Sequence, residues 1–297
     1  MDHRTFLKSL RKEDRLRLTE TSDRAGLSHL AGHLAVIACL GGLVATEVPG
    51  WPVLMVPLGI AVIFLFTLQH ETCHLTPFRS PWLNRWVSAF CGAVILLPPV
   101  WFRFFHMAHH RHTHDPDKDP ELEGAKPETL RDWVWHVSGA RVWISQVRTI
   151  LRNAAGGCRD PYIPKGKQTA VQREAVLMIV LYAGIAAASL WAGSTLALWL
   201  WIVPLLLGQP FLRLYLLAEH GRCPHVADMF QNTRTTFTNR LVRFFAWNMP
   251  FHAEHHAWPT VPFHRLPELH LLVRAHLKST SNGYVEFNRD YLGDMQR

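Results

Sequence analysis

The stretch WPVLMVPLGIAVIFLFTLQHETCH, Trp51–His74, decides the architecture. From Trp51 to His70 it carries no acidic or basic side chain other than the final histidine. A helix that crosses a bilayer needs about 20 mostly apolar residues, and this run supplies them. The helix is expected to continue to His74. The i, i+4 spacing of His70 and His74 places both imidazoles on one helix face. An apolar span that ends in paired imidazoles predicts a membrane protein with a metal-ligating site at one membrane face.

Three further stretches are long and apolar enough to span: about Leu30 to Val48, Ala175 to Trp191, and Leu196 to Leu217. A fifth, Trp82 to Trp101, contains Arg85 and Pro98-Pro99 and reads as re-entrant or interfacial. Pro49-Gly50 links the first two spans and Gly193-Ser194 the last two, with Glu47 the only charge nearby. Lysine and arginine gather instead in the N-terminal segment, in the region from Arg79 to Arg173, and after Leu217. The positive-inside rule puts these three on the cytoplasmic side, and an even number of spans returns both termini there.

The fold class expected is an all-α integral membrane protein of about four transmembrane helices, with a cytoplasmic helical cap holding a dimetal site. One domain covers residues 1–297. It divides into an N-terminal segment (1–29), a first helix pair (30–74), a cap with the re-entrant piece (75–173), a second helix pair (174–220) and a C-terminal cap (221–297).

Composition agrees. Hydrophobic residues make up 48% of the 297, yet the mean hydropathy is only +0.02, so apolar residues lie in blocks between polar ones. The net charge of +8 fits anionic lipid or an acidic protein partner. Nucleic acid is not expected, because the basic residues sit beside apolar runs rather than in a separate basic domain. Cys39, Cys73, Cys91, Cys158 and Cys223 form no CxxC pair, which argues against a zinc ribbon, an iron–sulfur cluster or a disulfide framework. Met1 to Arg24 is charged throughout and does not read as a cleavable signal.

The 19 histidines are the most unusual feature. His70-Glu71-Thr72-Cys73-His74 is the first cluster, His106-Met107-Ala108-His109-His110 the second and His252-Ala253-Glu254-His255-His256 the third. If helical, each aims two or three imidazoles at one point, and all fall on the predicted cytoplasmic side. A lone histidine beside an apolar segment is ordinarily a satisfied core or surface residue. Eight at this spacing read instead as metal ligands, because buried imidazoles without partners are costly. Eight exceed the capacity of one ion, which points to two. His220, at the end of the fourth span, is a ninth candidate. Imidazole ligation suits iron, copper, nickel or zinc.

Glu71, Asp117, Asp119, Glu219 and Glu254 are candidate acceptors for the free ring N–H groups. Asp117, Asp119 and Glu121 equally fit a solvated acidic turn. Asn248, four residues before His252, fits a holder of a metal-bound water or a helix cap, and reads first as a cap or a polar neighbour of the site. His112 and His114 lie off the ligand face. His3, His29, His33, His136, His225, His264, His270 and His276 have no ligand spacing.

The three clusters, their order and their placement resemble the membrane fatty acid desaturase and hydroxylase superfamily, from about Trp51 to Pro267. The second cluster and the run from Asn248 to Pro262, NMPFHAEHHAWPTVP, carry the resemblance most specifically. Ala218-Glu219-His220 with Asn232-Thr233-Arg234-Thr235 looks like a bacterial group that includes a dihydrorhizobitoxine desaturase and a rhizopine-catabolism oxygenase. One departure is Glu71, where many acyl-lipid desaturases have Asp.

The resemblance implies two iron ions and O2 as co-substrate, acting on a lipid or acyl chain in a bacterial inner membrane. It implies desaturation first, with hydroxylation or alkene-forming decarboxylation as alternatives. The sequence contains no fused electron-transfer segment, so a separate donor of the ferredoxin, rubredoxin or cytochrome b5 type is expected.

Two other classes compete. His70-Glu71-Thr72-Cys73-His74 fits HExxH, in which Glu is the general base of a zinc metalloprotease. That reading leaves both HxxHH clusters unexplained. A metal transporter would place its ligands near the bilayer midplane rather than at one face.

Overall fold

The computed structural model describes residues 1–295. Among these residues the chain forms helices and one two-residue parallel pair, β1 (Thr235–Thr236) against β2 (Thr280–Ser281). The N-terminal helices are α1 (His3–Ser9) and α2 (Lys12–Leu18), followed by α3 (Asp23–Ala45), α4 (Trp51–Ile63) and α5 (Leu65–His74). Next come α6 (Pro81–Val94), α7 (Pro99–His112), α8 (Leu130–Val137), α9 (Ala140–Ala154), α10 (Gln168–Trp191) and α11 (Val203–His220). The C-terminal part holds α12 (Met229–Asn232), α13 (Arg240–Phe245), α14 (His252–Ala257), α15 (Leu266–Val273) and α16 (Tyr284–Met295).

Four helical stretches are long and apolar enough to cross a membrane: Lys12–Ala45, Trp51–His74, Lys165–Trp191 and Leu198–His220. The chain is thus an all-α membrane protein of four spans, as its sequence predicts. The helices outrun their apolar windows. Ser22 caps α3 at Ala25 N, so that helix starts at Asp23 rather than near Leu30. α10 starts at Gln168 rather than Ala175 and so takes in Glu174. Its carboxylate accepts from Val100 N at 2.8 Å and Trp101 N at 3.2 Å, capping α7.

The spans are not equivalent. Trp51–His74 buries 56% of its apolar window, whereas Lys165–Trp191 buries 11%. The second and fourth spans therefore make the centre, and Leu177, Val180, Leu181 and Leu190 point outward as a lipid-facing surface would. At the centre α4 meets α11 where Gly59 faces Gly208. A Cβ on Gly59 would stand 2.0 Å from the Pro204 carbonyl oxygen, so only glycine permits this approach.

The fifth apolar stretch is two helices, α6 and α7, bent by 102° between Val94 and Pro99. Leu96 takes φ 59° there and Pro98-Pro99 starts the second helix. A bend of this size fits a re-entrant loop and a broken span alike. It turns α7 so that the second histidine cluster faces the ends of α5 and α11.

The N-terminal helices lie against the C-terminal cap. His3 N donates to Asp228 Oδ1 at 3.0 Å, and Arg17 pairs with Glu268. The N-terminal helices and the C-terminal cap therefore share one side of the bundle.

Candidate metal centre

Each histidine cluster occupies a helix with a defined stop. α5 ends at His74 because Leu75 adopts φ 61° and Pro77 follows shortly after. α7 ends at His112, three residues before Asp115-Pro116. α14 is one and a half turns long, bounded by Pro250 and Pro259. Short helices with fixed ends aim their side chains in a single direction.

The structure brings all nine candidate histidines together. His70, His74, His106, His110 and His255 place ligand atoms within 4.8 Å of one another, and His109, His220 and His256 do the same. His252 Nε2 lies 3.3 Å from His220 Nε2 and so joins the second group. His70 Nε2 faces His255 Nε2 at 3.0 Å, and His74 Nε2 faces His106 Nε2 at 2.9 Å. His110 has no hydrogen-bond partner on either ring nitrogen, and His256 has none on Nε2.

Buried nitrogens left unpaired, or facing one another, are unstable without something between them. A metal ion satisfies this arrangement, and the donor set suits it. Burial, with neighbouring histidines adding, holds His252, His255 and His256 well below the usual histidine range. They are thus in the neutral form that binds metal.

Outer partners fix several rings. Asp119 Oδ1 accepts from His109 Nδ1 at 2.9 Å. Glu71 Oε1 and Glu219 Oε1 stand 3.4 Å from His255 Nδ1 and His252 Nδ1, close enough for charge to act but not hydrogen-bonded to them. Three of the predicted partners stand elsewhere. Asp117 is exposed, and its backbone is tied to the Asp115 side chain rather than to a histidine. Asn248 accepts from Arg243 Nε and donates to the Phe263 carbonyl, holding a loop in which it takes φ 58°. Glu254 faces away from the imidazoles on either side of it, accepting from Thr235 Oγ1 and from His270 Nδ1, each at 2.5 Å.

Glu71 bears on the protease reading. Its Oε2 accepts from Thr76 Oγ1 and Phe263 N, both at 3.1 Å, and its Oε1 faces His255. It is enclosed and engaged, not free to activate water, and five imidazoles surround the place where a protease zinc would have three protein ligands.

Sequence reasoning missed a set of supports. His220 Nδ1 donates to the Asn232 carbonyl at 3.3 Å. His256 Nδ1 lies 3.3 Å from Thr113 Oγ1. Arg234 Nη1 donates to the carbonyls of Ala218 and Gly221, both at 2.7 Å, closing the end of α11 beside His220. The run from Asn232 to Thr235, noticed in the sequence only as a resemblance, is thus the buttress of His220 and Glu254. Glu121, set aside as a turn residue, brings Oε2 to 3.3 Å from His109 Nε2. Burial disfavours its charged form, but Lys126, with His109 and His220, holds its carboxyl well below the usual range. Among the other histidines, His33 serves the fold: its Nε2 bonds the Ala61 carbonyl at 2.8 Å and its Nδ1 accepts from Trp247 Nε1.

Comparison with known proteins gives two findings. The sequence profile described as fatty acid desaturase matches residues 48–288, most of the chain. The sn-1 oleoyl-lipid 12-desaturase of Anabaena variabilis is 24% identical over 239 residues, covering 72% of this chain and 66% of that protein. The sn-1 oleoyl-lipid 12-desaturase of Picosynechococcus sp. is 23% identical over 202 residues, covering 63% of this chain and 56% of its own length. The chain therefore spans less than two thirds of these curated relatives.

Proposed function

This chain belongs to the fatty acid desaturase family, and on that premise we propose that it is a membrane-bound diiron oxidase that desaturates an acyl chain. The observation that carries the reading is the convergence of nine buried imidazoles in two groups, with ring nitrogens that no protein atom satisfies. His70, His74, His106, His110 and His255 would hold one iron. His109, His220, His252 and His256 would hold the other. The pair of ions would supply activation of O2 and removal of hydrogen from an unactivated C–H bond.

The protein's own residues orient and enclose. Asp119, the Asn232 carbonyl and Thr113 engage Nδ1 of His109, His220 and His256, which turns each Nε2 inward. Phe66 and Phe102 pack beside His70 and His106 and keep that flank apolar. The relatives' names speak of an oleoyl lipid, and the histidines at the ends of two apolar spans support a centre that a lipid chain would reach without entering bulk water. We read the substrate class accordingly as a lipid-linked or free acyl chain. Electrons would come from a separate carrier of the ferredoxin, rubredoxin or cytochrome b5 type, docking on the basic face. That face and both termini would be cytoplasmic, in a bacterial inner membrane.

The test is to feed deuterium-labelled acyl chains to cells that express the protein with an intact electron-transfer chain. Loss of two deuteriums supports desaturation. Loss of one with oxygen gained from O2 replaces that outcome by hydroxylation. A shortened terminal alkene replaces it by decarboxylation. An unchanged lipid and alkene profile contradicts the proposal.

A further inference from the structure

The outer face of α9 is divided lengthwise. In this helix Arg141, Arg148 and Arg152 recur at i, i+7 and i+11, and Ile144, Val147 and Leu151 at i, i+3 and i+7. At about 100° per residue each set forms one strip along the helix, and the two strips lie side by side. Ile144, Val147 and Leu151 are half exposed, and all three arginines are exposed. Another side is packed: Ile150 forms a buried cluster with Ala175 and Met178 of α10, and Ala154, Ile179 and Tyr182 lie against it. Round the helix the order is therefore the α10 contact, the open apolar strip, then the arginines.

The packing sets the level of α9. Ala175 opens the apolar run of the third span, and Ile179 and Tyr182 lie one and two turns further in. α9 thus meets α10 within the run that crosses the membrane, not in the polar residues before it. Its open apolar strip continues the outward surface of Leu177 and Leu181. Against lipid this strip escapes the cost of hydrating large aliphatic side chains. The three arginines, with Ser145 and Thr149, line a groove of about 530 Å³. Arg152 pairs with Asp160 at 2.6 Å and Arg141 stands 3.9 Å from Asp132. Arg148 has no acidic partner among the described residues.

We propose that α9 is an interfacial helix whose arginine groove binds the headgroup of an anionic phospholipid, with the acyl chains laid along Ile144, Val147 and Leu151. Such a ligand joins the two chemistries that the helix sets side by side, a phosphate and a hydrocarbon tail. Guanidinium groups hold phosphate through paired N–H donors, and Ser145 adds a hydroxyl. A zwitterionic lipid brings an ammonium group that the same arginines repel, so the groove selects a net negative headgroup. An acidic protein surface matches the arginines but not the apolar strip beside them. The site draws nothing from the histidine centre.

Native mass spectrometry of the full chain in detergent, titrated with phosphatidylglycerol or with phosphatidylcholine, tests the groove. The wild type binds its first phosphatidylglycerol roughly fivefold or more tightly than its first phosphatidylcholine, the scale of one arginine near an anionic surface. Arg148→Gln reduces that preference, and Arg141→Gln with Arg148→Gln abolishes it. Both side chains are exposed on the outer face, so the variants keep the helical fold, which circular dichroism checks. An unchanged preference in the double variant overturns the site. Depth is read separately, in liposomes of phosphatidylcholine and phosphatidylglycerol. Cys39 is the exposed cysteine, so a nitroxide is attached through Val147→Cys in a Cys39→Ser protein. O2 relaxes that label and a water-soluble nickel chelate does not. The reverse result places the strip in water, open to a soluble acidic protein, and overturns the proposal.

Discussion

His109 gives its Nδ1 proton to Asp119, whose Oδ1 lies 2.9 Å away in a fully enclosed pair. The same carboxylate accepts from Glu121 N through Oδ1 and from His114 N through Oδ2 at 2.8 Å. One side chain thus fixes a ring tautomer and the turn that follows it. Asp119→Asn keeps the shape but offers a single acceptor oxygen. It should cost about 1–3 kcal/mol through the unsatisfied groups it leaves, and weaken metal binding by roughly 10–100-fold. Thermal melting and metal analysis read the two effects. Asp117→Asn, two residues away and exposed, should change neither. Equal damage from both variants would remove the distinction drawn between them.

Arg234 supports the centre at a distance. Its two 2.7 Å bonds to the Ala218 and Gly221 carbonyls hold the end of α11, from which His220 projects. Arg234→Met leaves both carbonyls without this donor and should destabilise the protein by about 3 kcal/mol, since bonds to a charged group contribute roughly 1.5–3 kcal/mol each. Arg234→Lys keeps a charged donor on a shorter and more flexible stem, and should fall between. Both should lower the affinity of one metal ion and spare the other. Uniform loss of both ions at unchanged melting temperature would contradict a local role.

Orientation is open to a direct test. The turn at Gly50 lies opposite the histidine-bearing end, and Gly50 itself adopts φ 82° in a link with no basic residue. Reporter fusions at residue 50 should read as periplasmic and fusions at the C-terminus as cytoplasmic. A cytoplasmic signal at residue 50 would reverse the assignment.

How much of this was legible in the sequence follows from the range of each interaction. The Trp51–His74 span and its histidine pair are local patterns, an apolar run and an i, i+4 spacing, and both appear in the structure. His220 carries no cluster of its own; its place at the end of a span was the signal. Asp117 and Asp119 look alike in sequence, yet only Asp119 caps the turn that follows and meets His109. Glu254, within the third cluster, pairs with His270 sixteen residues on, because a one-and-a-half-turn helix points it away from its neighbours. Arg234 and Glu121 act through contacts that depend on how α11 and α7 are brought together, and no spacing rule announces such contacts.

The account rests most heavily on the nine imidazoles as the cradle of two ions, and elemental analysis of the purified chain tests that claim most directly. Protein prepared anaerobically with Fe2+ should carry two irons per chain. His255→Ala should lose at least one of them. His276→Ala, whose ring stacks against Phe230 away from the centre, should retain both. A single tightly held zinc per chain, or full iron content in His255→Ala, would contradict the account.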